Sequence, residues 1–397
     1  MVNKVLHSYA FTNFQSFRER VEVDLAVGRK IAMTEWMSEA ATGERVSKLM
    51  AVIGPNGSGK TALLKPIVFM SWFIANSFQL PPDAGIPVTP HAAAGNEPTE
   101  LECMLDFDGK LWRYVLRCTP ERVLHEALYL KRERFGYVFI RDWDAATASY
   151  SVKQQDFGLA PQEARKVRPN VSLIAWAAQF GVPLAVSLTA PNVNSNVNVL
   201  GRVHIGNLDV QNAAQHFFAH PEQRKLMERL LSAWDMGLSG VELVEVAVNN
   251  PQQPSQKVWV PFGKHKNRVA EFQLPFALES SGTQGAFVLL SRLLHTLEIG
   301  GLAVIDEFEN DLHPHMLEPI LDLFANPSTN PRQAQLLFTC HAVEVLNLVH
   351  KSQVMLVQKN EDCESAASRM DAVEDIRNDD NYYAKYMAGA YGAVPIF

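Results

Sequence analysis

Apolar and polar residues alternate over several stretches of this chain, which is the pattern of half-buried β-strands. KVLHSYAF and RVEVDL alternate on either side of NFQSF, so residues 3–25 are predicted to form two strands around a turn. Alternation returns over 99–153, with a turn at Asp108-Gly109, and predicts an antiparallel meander. Residues 241–275 again predict short strands, whereas 160–235 are mostly helical in pattern.

Continuous apolar runs and helical periods alternate in the last third of the chain. LAVIDEF, QLLFTC and QVMLVQK predict buried strands, and GAFVLLSRLLHTLEIG and MLEPILDLFA predict helices between them. Leu49–Ile53 is a similar short apolar run near the start, followed by a glycine-rich loop. This succession is typical of an α/β protein with a parallel sheet.

Composition narrows the class of protein without deciding its chemistry. The chain has 397 residues, 47% of them hydrophobic and 20% charged, as in soluble globular proteins. A net charge of −7 does not favour nucleic acid as a partner. The four cysteines form no C-x-x-C pair, so we expect free thiols in a cytoplasmic protein. Ala62–Leu80, the longest apolar stretch, is interrupted by polar residues, so no membrane span is expected.

A phosphate-binding motif follows the first apolar strand. The pattern G-x-x-x-x-G-K-[ST] is matched by Gly54, Pro55, Asn56, Gly57, Ser58, Gly59, Lys60 and Thr61. Glycines let backbone amides curl around phosphates, and the next helix points its positive end at them. Lys60 is predicted to reach the β- and γ-phosphates and Thr61 to bind Mg²⁺, so the expected ligands are ATP and Mg²⁺. A chance glycine-rich turn is disfavoured by the strand before it and the helix after it.

Two acids end the strand Leu302–Ile305. Downstream of a phosphate loop, the first acid of such a pair holds Mg²⁺ and the second activates the attacking water. Asp306 is therefore predicted as a metal ligand and Glu307 as the general base. The alternative is a pair of solvated acids at a strand end.

The segment ESSGTQ resembles the signature sequence of ABC ATPases. Ser281, Gly282 and Gln284 stand at their places in S-G-G-Q, while Ser280 and Thr283 depart from the pattern. In that family the signature contacts the γ-phosphate held by the other subunit, which implies a homodimer. An ordinary helix cap is compatible with this role, and Ser281 is the expected cap of a helix starting near Thr283.

His341, after the strand QLLFTC, resembles the switch histidine of ABC ATPases and is predicted to sense the γ-phosphate or position water. The alternative is a satisfied loop residue. Residues 310–314 stand where the ABC segment crosses between subunits, and His313 with His315 is a weak metal pair. The glutamine that links the metal site to the inserted domain has no clear place, and Gln79 and Gln154 are candidates by default.

Taken together, ESSGTQ, LAVIDEFENDLHP and LLFTCHAVEVL resemble the bacterial ABC-type AAA ATPases related to the OLD family and, more distantly, to SMC and RecF proteins. The opening and the ending of the chain are also similar to theirs. The resemblance implies an ABC-type P-loop NTPase core, with a mixed sheet and an antiparallel subsheet. Its expected parts are 1–80, an inserted region with its own antiparallel sheet and helices at 81–274, and 275–397.

The resemblance also implies a role in anti-phage defence, as a nucleotide-gated sensor or regulator of a separate effector such as a nuclease or toxin. The residues after His341 are expected to be too few for a TOPRIM nuclease, so the effector is expected on another chain. The homodimer can be part of a higher oligomer. Alternatives are a RecF- or SMC-like DNA-maintenance ATPase, with basic clusters at 131–134 and 264–268, and a scaffold that binds nucleotide without hydrolysis.

Overall fold

The computed structural model describes residues 4–234, 237–248, 256–266, 268–309, 312, 314–377 and 380–394. The strands in these ranges are β1 (Lys4–Thr12), β2 (Val21–Asp24), β3 (Met37–Glu39), β4 (Arg45–Ser47), β5 (Leu49–Ile53), β6 (Thr99–Phe107), β7 (Lys110–Cys118), β8 (Val123–Lys131), β9 (Phe135–Asp144), β10 (Ser149–Gln154), β11 (Val193–Ser195), β12 (Gly240–Val248), β13 (Gln256–Lys266), β14 (Glu271–Pro275), β15 (Leu302–Ile305), β16 (Gln335–Thr339), β17 (Val354–Lys359) and β18 (Ser365–Arg369). The helices are α1 (Lys60–Asn76), α2 (Pro161–Ala164), α3 (Leu173–Gln179), α4 (Pro183–Thr189), α5 (Asn207–Ala219), α6 (Pro221–Ala233), α7 (Ser281–Ile299), α8 (Leu317–Ala325) and α9 (Tyr382–Met387).

Six strands form the sheet that carries the glycine-rich loop, in the order β11-β15-β16-β5-β17-β18. Neighbouring strands are parallel, except that β18 runs antiparallel to β17. Every residue of β5 and β16 is buried, as expected for strands covered on both faces. The carboxyl ends of β15, β16 and β5 therefore lie side by side at one edge, where α/β proteins bind ligands. The predicted α/β fold with a mixed core sheet is confirmed.

The second sheet has seven antiparallel strands in the order β10-β9-β8-β7-β6-β1-β2. β1 and β6 pair along nearly their whole length, with Phe11 opposite Leu101. The meander predicted over 99–153 thus continues the N-terminal hairpin. The strands of the meander are therefore not a separate sheet of the inserted region, because pairing between β1 and β6 makes one sheet of both segments. A separate antiparallel sheet of three strands, β12-β13-β14, does lie in the later part of that region.

A short strand that the sequence pattern missed, β11, extends the core sheet. Val193 lies opposite Leu302, and Ser195 lies opposite Val304. The sequence VNS has no apolar run and its residues are only half-buried, so it gave no strand signal. Because β11 lies inside the predicted insertion, that region shares the core sheet, and the division at residues 80 and 274 stays a prediction.

β5 separates two hydrophobic cores. Met50 and Val52 pack on the side of α1 and the seven-stranded sheet, whereas Leu49, Ala51 and Ile53 pack on the side of α7 and α8. Successive strand residues point to opposite faces, so one apolar run serves both cores. The glycine-rich loop after β5 is consequently fixed from both sides.

The helical stretch Lys60–Gln79, which contains α1, is long and apolar enough to cross a membrane by length and composition alone. In the structure, 61% of its most apolar window is buried. Leu63, Phe69 and Phe73 are completely buried in the core beneath the seven-stranded sheet. This packing explains the apolar character of α1.

A buried ion pair joins the seven-stranded sheet to the segment before α3. Arg141 of β9 and Glu126 of β8 are completely buried, with 3.7 Å between Nη1 and Oε2. Glu126 accepts hydrogen bonds from Tyr114 Oη (3.0 Å), Ser172 Oγ (2.6 Å) and Leu173 N (2.8 Å). Arg141 donates to the backbone carbonyls of Val167, Arg168 and Val171. Both charges are thus compensated, as buried charges require.

Arg141→Met is expected to lower the free energy of unfolding by about 3–5 kcal/mol, because it leaves the Glu126 carboxylate buried without its partner. Urea unfolding followed by circular dichroism measures this. The control is Arg117→Met on β7, whose ion pair with Glu100 is half exposed, and a change below about 1 kcal/mol is expected there. Equal losses of unfolding free energy in the two variants would contradict a larger stabilising contribution from the buried pair.

Candidate functional site

The glycine-rich loop connects β5 to α1, in the predicted order of strand, loop and helix. α1 begins at Lys60, and Gly59 before it has a φ of 112°, a conformation that residues with a Cβ rarely adopt. At Gly54 the constraint is space, because a Cβ there would lie 2.1 Å from the carbonyl oxygen of Val357 on β17. Gly54 and Gly59, the first and last glycines of the motif, are therefore required by the path of the backbone.

Two serines that the sequence analysis did not single out, Ser16 and Ser365, fix the glycine-rich loop through hydrogen bonds. Ser365 Oγ, at the start of β18, donates to the carbonyl of Ser58 (2.6 Å) and lies 2.8 Å from Ser16 Oγ. Ser365 N donates to the carbonyl of Ser16 in the turn between β1 and β2 (2.7 Å). Both large sheets thus contact the loop, and its shape depends on their packing.

Lys60 is folded onto its own loop. Its Nζ donates to the carbonyls of Gly54 (2.8 Å) and Pro55 (3.0 Å), and the residue is 7% exposed. Burial lowers the pKa of the Lys60 ammonium, while Asp306 and Glu309 act in the opposite direction. The ammonium lies within the loop, where an anion bound by the loop amides would meet it.

Asp306 connects the loop to two strands. Its Oδ2 accepts a hydrogen bond from Thr61 Oγ1 (2.8 Å), and its Oδ1 accepts one from Thr339 Oγ1 at the end of β16 (2.7 Å). The residue is 2% exposed. The structure thus brings together Thr61 and Asp306, the two predicted metal ligands, and adds Thr339, which the sequence analysis missed.

Asn196, directly after β11, makes hydrogen bonds to both the backbone N–H and the carbonyl of Asp306. Its Oδ1 accepts from Asp306 N (2.7 Å), and its Nδ2 donates to the Asp306 carbonyl (2.8 Å). Gln79 and Gln154, the candidates for a glutamine that links the metal site to the inserted region, do not lie beside Asp306 in this way. Gln154 ends the outermost strand β10 and donates to the Leu159 carbonyl, while Gln79 ends a short helical turn after α1.

Glu307 lies at the same edge, with its carboxylate between a guanidinium and an imidazole. Its Oε2 contacts Arg202 Nη1, and its Oε1 is 4.0 Å from His341 Nε2. Its backbone N donates to Thr339 Oγ1 (2.7 Å), and its φ of 49° is unusual for a residue with a Cβ. The two residues predicted as catalytic, Glu307 and His341, are therefore neighbours.

His341 follows β16 and is partly exposed. Its backbone N donates to Glu309 Oε1. Burial, and then the nearby Lys60 ammonium, lower the pKa of His341, while Glu309 and Asp306 act in the opposite direction. With a pKa below its usual value, the imidazole is mostly neutral at pH 7 and can accept or donate one hydrogen bond.

The signature-like segment forms the start of α7, and here one prediction is wrong. The cap is Ser280, whose side chain accepts from Thr283 N (3.1 Å), and the helix begins at Ser281. Ser280 caps because its ψ of 154° is extended, whereas Ser281 is already helical. Ser281 is exposed and Gly282 half-buried in the first turn, and Gln284 Nε2 donates back to the carbonyl of residue 279 (3.0 Å).

Asn310, Asp311 and His313, in the segment predicted to cross between subunits, lie outside the described residues. The remaining predicted positions fall into two groups. The loop 54–61, Asp306, Glu307 and His341 meet at the edge formed by β5, β15 and β16. Ser281, Gly282 and Gln284 form a separate group at the N-terminus of α7.

The side chains present fit a magnesium ion. Thr61 Oγ1 and Asp306 Oδ2 are hard oxygen ligands 2.8 Å apart, and Thr339 fixes the other carboxylate oxygen. Within the described ranges no cluster of three or more His, Cys, Asp or Glu could hold a metal ion. Mg²⁺ commonly takes one or two protein ligands and completes its shell with water and phosphate oxygens.

For the ATPase activity predicted from the sequence, Thr339→Val is expected to lower turnover by about 10–100-fold, because it removes the hydroxyl that holds both the Asp306 carboxylate and the Glu307 amide. Phosphate release at saturating ATP and Mg²⁺ measures the effect. The control is Thr329→Val, which removes a hydroxyl bonded only to the carbonyls of Leu323 and Asn326 and should leave turnover unchanged. Unchanged turnover in Thr339→Val would contradict this role.

Comparison with known proteins assigns the chain to a family. No curated protein matches it. Similar solved structures include an Smc head bound to the C-winged helix domain of ScpA, with 12% identity, a TM-score of 0.49, and coverage of 92% of this chain and 97% of that one. Another is an Smc head domain with an extended coiled coil, bound to the C-terminal domain of ScpA derived from Pyrococcus furiosus, with 10% identity, a TM-score of 0.45, and coverage of 92% and 96%.

The model of the family described as "AAA domain, putative AbiEii toxin, Type IV TA system" matches residues 49–347, which include the loop, the acidic pair and His341. The chain therefore belongs to this AAA-domain family.

Proposed function

We propose that the protein binds and hydrolyses ATP at the interface of a homodimer. The observation that carries this proposal is the hydrogen bond between Thr61 Oγ1 of the phosphate loop and the Asp306 carboxylate (2.8 Å). It joins a nucleotide-binding loop to an acidic strand end, with a second acid, Glu307, adjacent. This combination is the one that phosphoryl-transfer sites use to bind metal-bound triphosphate and activate water.

In the proposed reaction the loop amides and Lys60 bind the phosphates. Lys60 exchanges its bonds to the carbonyls of Gly54 and Pro55 for bonds to phosphate oxygens. Glu307 accepts a proton from a water molecule, and the oxygen of this water attacks the γ-phosphorus. The bond between the γ-phosphorus and the β–γ bridging oxygen breaks, which gives ADP and phosphate. Thr61 and Asp306 would hold Mg²⁺, which supplies neutralisation of phosphate charge when bound.

The dimer part of the proposal rests on α7. Ser281 and Gly282 stand at the N-terminus of a 19-residue helix, and helix N-termini favour anions. Ser281 is exposed, so a second copy can approach it. If the first turn of α7 meets the γ-phosphate held by a partner, ATP binds better to the closed dimer than to the separate chains, and so shifts the equilibrium towards closure.

The nucleotide-gated dimer is proposed to regulate a separate effector, a nuclease or toxin, in cytoplasmic anti-phage defence. The family description names a putative AbiEii toxin and a Type IV TA system, which links the family to a toxic activity. The DNA-maintenance alternative requires its candidate basic clusters to be available to DNA. Lysines in its candidate basic clusters already pair with acids, as Lys131 does with Glu44, Lys264 with Glu242 and Lys266 with Glu271; Asn267 lies outside the described residues.

Glu307→Gln is expected to retain ATP binding, to lower hydrolysis by about 10²–10⁴-fold, and to accumulate as an ATP-bound dimer. Light scattering after size-exclusion chromatography, with ATP and Mg²⁺, measures the dimer. Adding Ser281→Arg should return this variant to the apo assembly state, because a long cation obstructs the start of α7.

The matched control is Ser151→Arg, at an exposed serine on β10 at the far edge of the seven-stranded sheet, which should leave the dimer intact. A Glu307→Gln protein whose assembly does not respond to ATP would refute the dimer proposal. Hydrolysis at the rate of the unmodified protein would refute the role of Glu307.

The proposed effector is tested by affinity capture from the native host in the presence of ATP. The tagged Glu307→Gln protein is expected to retain a partner, whereas a tagged Lys60→Ala protein, which cannot bind nucleotide, is expected not to retain it. Mass spectrometry of the captured material identifies the partner. Equal capture by the two variants would contradict nucleotide gating.

A further inference from the structure

Residues 196–203, between β11 and α5, fold into a closed turn, called here the 196–203 turn. Val203 N donates to the Asn196 carbonyl (2.7 Å), and Val197 pairs with Arg202 as an isolated bridge. The two ends of the turn are therefore joined by backbone hydrogen bonds. Arg202 is carried by a fixed piece of backbone, even though it lies in a connection between regular elements.

The 196–203 turn is also fixed to the site on two sides. Asn196 makes hydrogen bonds to both backbone groups of Asp306. Lys65 Nζ, from the second turn of α1, donates to the Leu200 carbonyl (3.1 Å). The turn thus connects the helix that follows the phosphate loop with the strand end that carries the acids.

From this position Arg202 reaches Glu307. Its Nη1 contacts Oε2, with the Arg202 side chain 20% and the Glu307 side chain 39% exposed. The other oxygen, Oε1, stays on the side of His341, 4.0 Å from its Nε2. Arg202 Nε is buried and has no hydrogen-bond partner among the described residues.

This geometry matters for a general base. A glutamate side chain has several rotamers, and only those that place an oxygen against the attacking water are productive. A guanidinium on Oε2 selects rotamers that keep Oε1 directed towards His341. Misplacement of a reacting group by about 1 Å can cost on the order of 10²-fold in rate, so such selection has a measurable effect.

We propose that Arg202 is a positioning residue that holds the Glu307 carboxylate in its productive orientation. The inference rests on the proposed ATPase function and adds a residue from the region between the phosphate loop and the acidic strand end. Arg202 acts through Glu307, so its contribution belongs to turnover and not to ATP affinity. The substitution Arg202→Lys would keep the positive charge but lose the planar fork of the guanidinium.

The test compares unmodified protein, Arg202→Gln, Arg202→Lys and the control Arg292→Gln. Arg292 is 19% exposed and pairs with Asp209 (3.0 Å), so it matches Arg202 in exposure and partner type. Arg202→Gln is expected to lower kcat by about 10²-fold with KM for ATP changed less than about twofold. Arg202→Lys should recover part of kcat, and Arg292→Gln should retain all of it. Binding of a fluorescent ATP analogue should be equal in all four, and thermal melting checks that each is folded.

A second arm places Arg202→Gln in the Glu307→Gln background under single-turnover conditions. If Arg202 acts through Glu307, the second substitution adds little to the first. A full additional loss, a parallel loss of ATP affinity, or unchanged kcat in Arg202→Gln would overturn the proposal. Unmodified protein that binds ATP without any turnover overturns the ATPase proposal and this one together, whereas normal turnover in Arg202→Gln overturns this one alone.

Discussion

The carboxylate of Asp306 is the group on which the rest of the site depends. Asp306 is 2% exposed, and buried polar groups require hydrogen-bond partners; here each carboxylate oxygen accepts a hydrogen bond from one hydroxyl. One hydroxyl comes from Thr61 at the start of α1 and the other from Thr339 at the end of β16. The two bonds join the end of β15 to the start of α1 and to the end of β16, and Thr339 extends the same network to the backbone of Glu307.

Charge around this group is balanced by residues from distant parts of the chain. Asp306 and Glu309 act electrostatically on the Lys60 ammonium and favour its charged form, and Arg202 contacts Glu307. Lys60 bonds to loop carbonyls, which are weaker partners than phosphate oxygens. A triphosphate would therefore enter a site in which Lys60 is already placed and needs only to exchange acceptors, which keeps the cost of reorganisation small.

The two sheets and the proposed insertion meet at the loop. Ser365 joins the edge strand of the core sheet to Ser16 of the antiparallel sheet and to the loop, while the 196–203 turn reaches the acids from the other side. A change in how the 196–203 turn packs would therefore act on Asp306, which is also bonded to Thr61 of the loop.

The sequence alone determined the parts whose geometry is local. The spacing of Gly54, Gly59 and Lys60 specifies a loop that closes between one strand and the next helix, and the apolar runs 49–53, 302–305 and 335–339 specify buried strands of a parallel sheet. Only the tertiary structure decided what depends on pairing between distant segments: that β6 continues the sheet of β1, that β11 completes the core sheet, and that Asn196, Arg202, Thr339 and Ser365 surround the site. Those four side chains are ordinary polar residues in sequence, because a hydrogen bond to a partner on another element leaves no periodic or local signal. Capping illustrates the same limit on a small scale, since the backbone angle at Ser280, and not the residue type it shares with Ser281, decided where α7 begins.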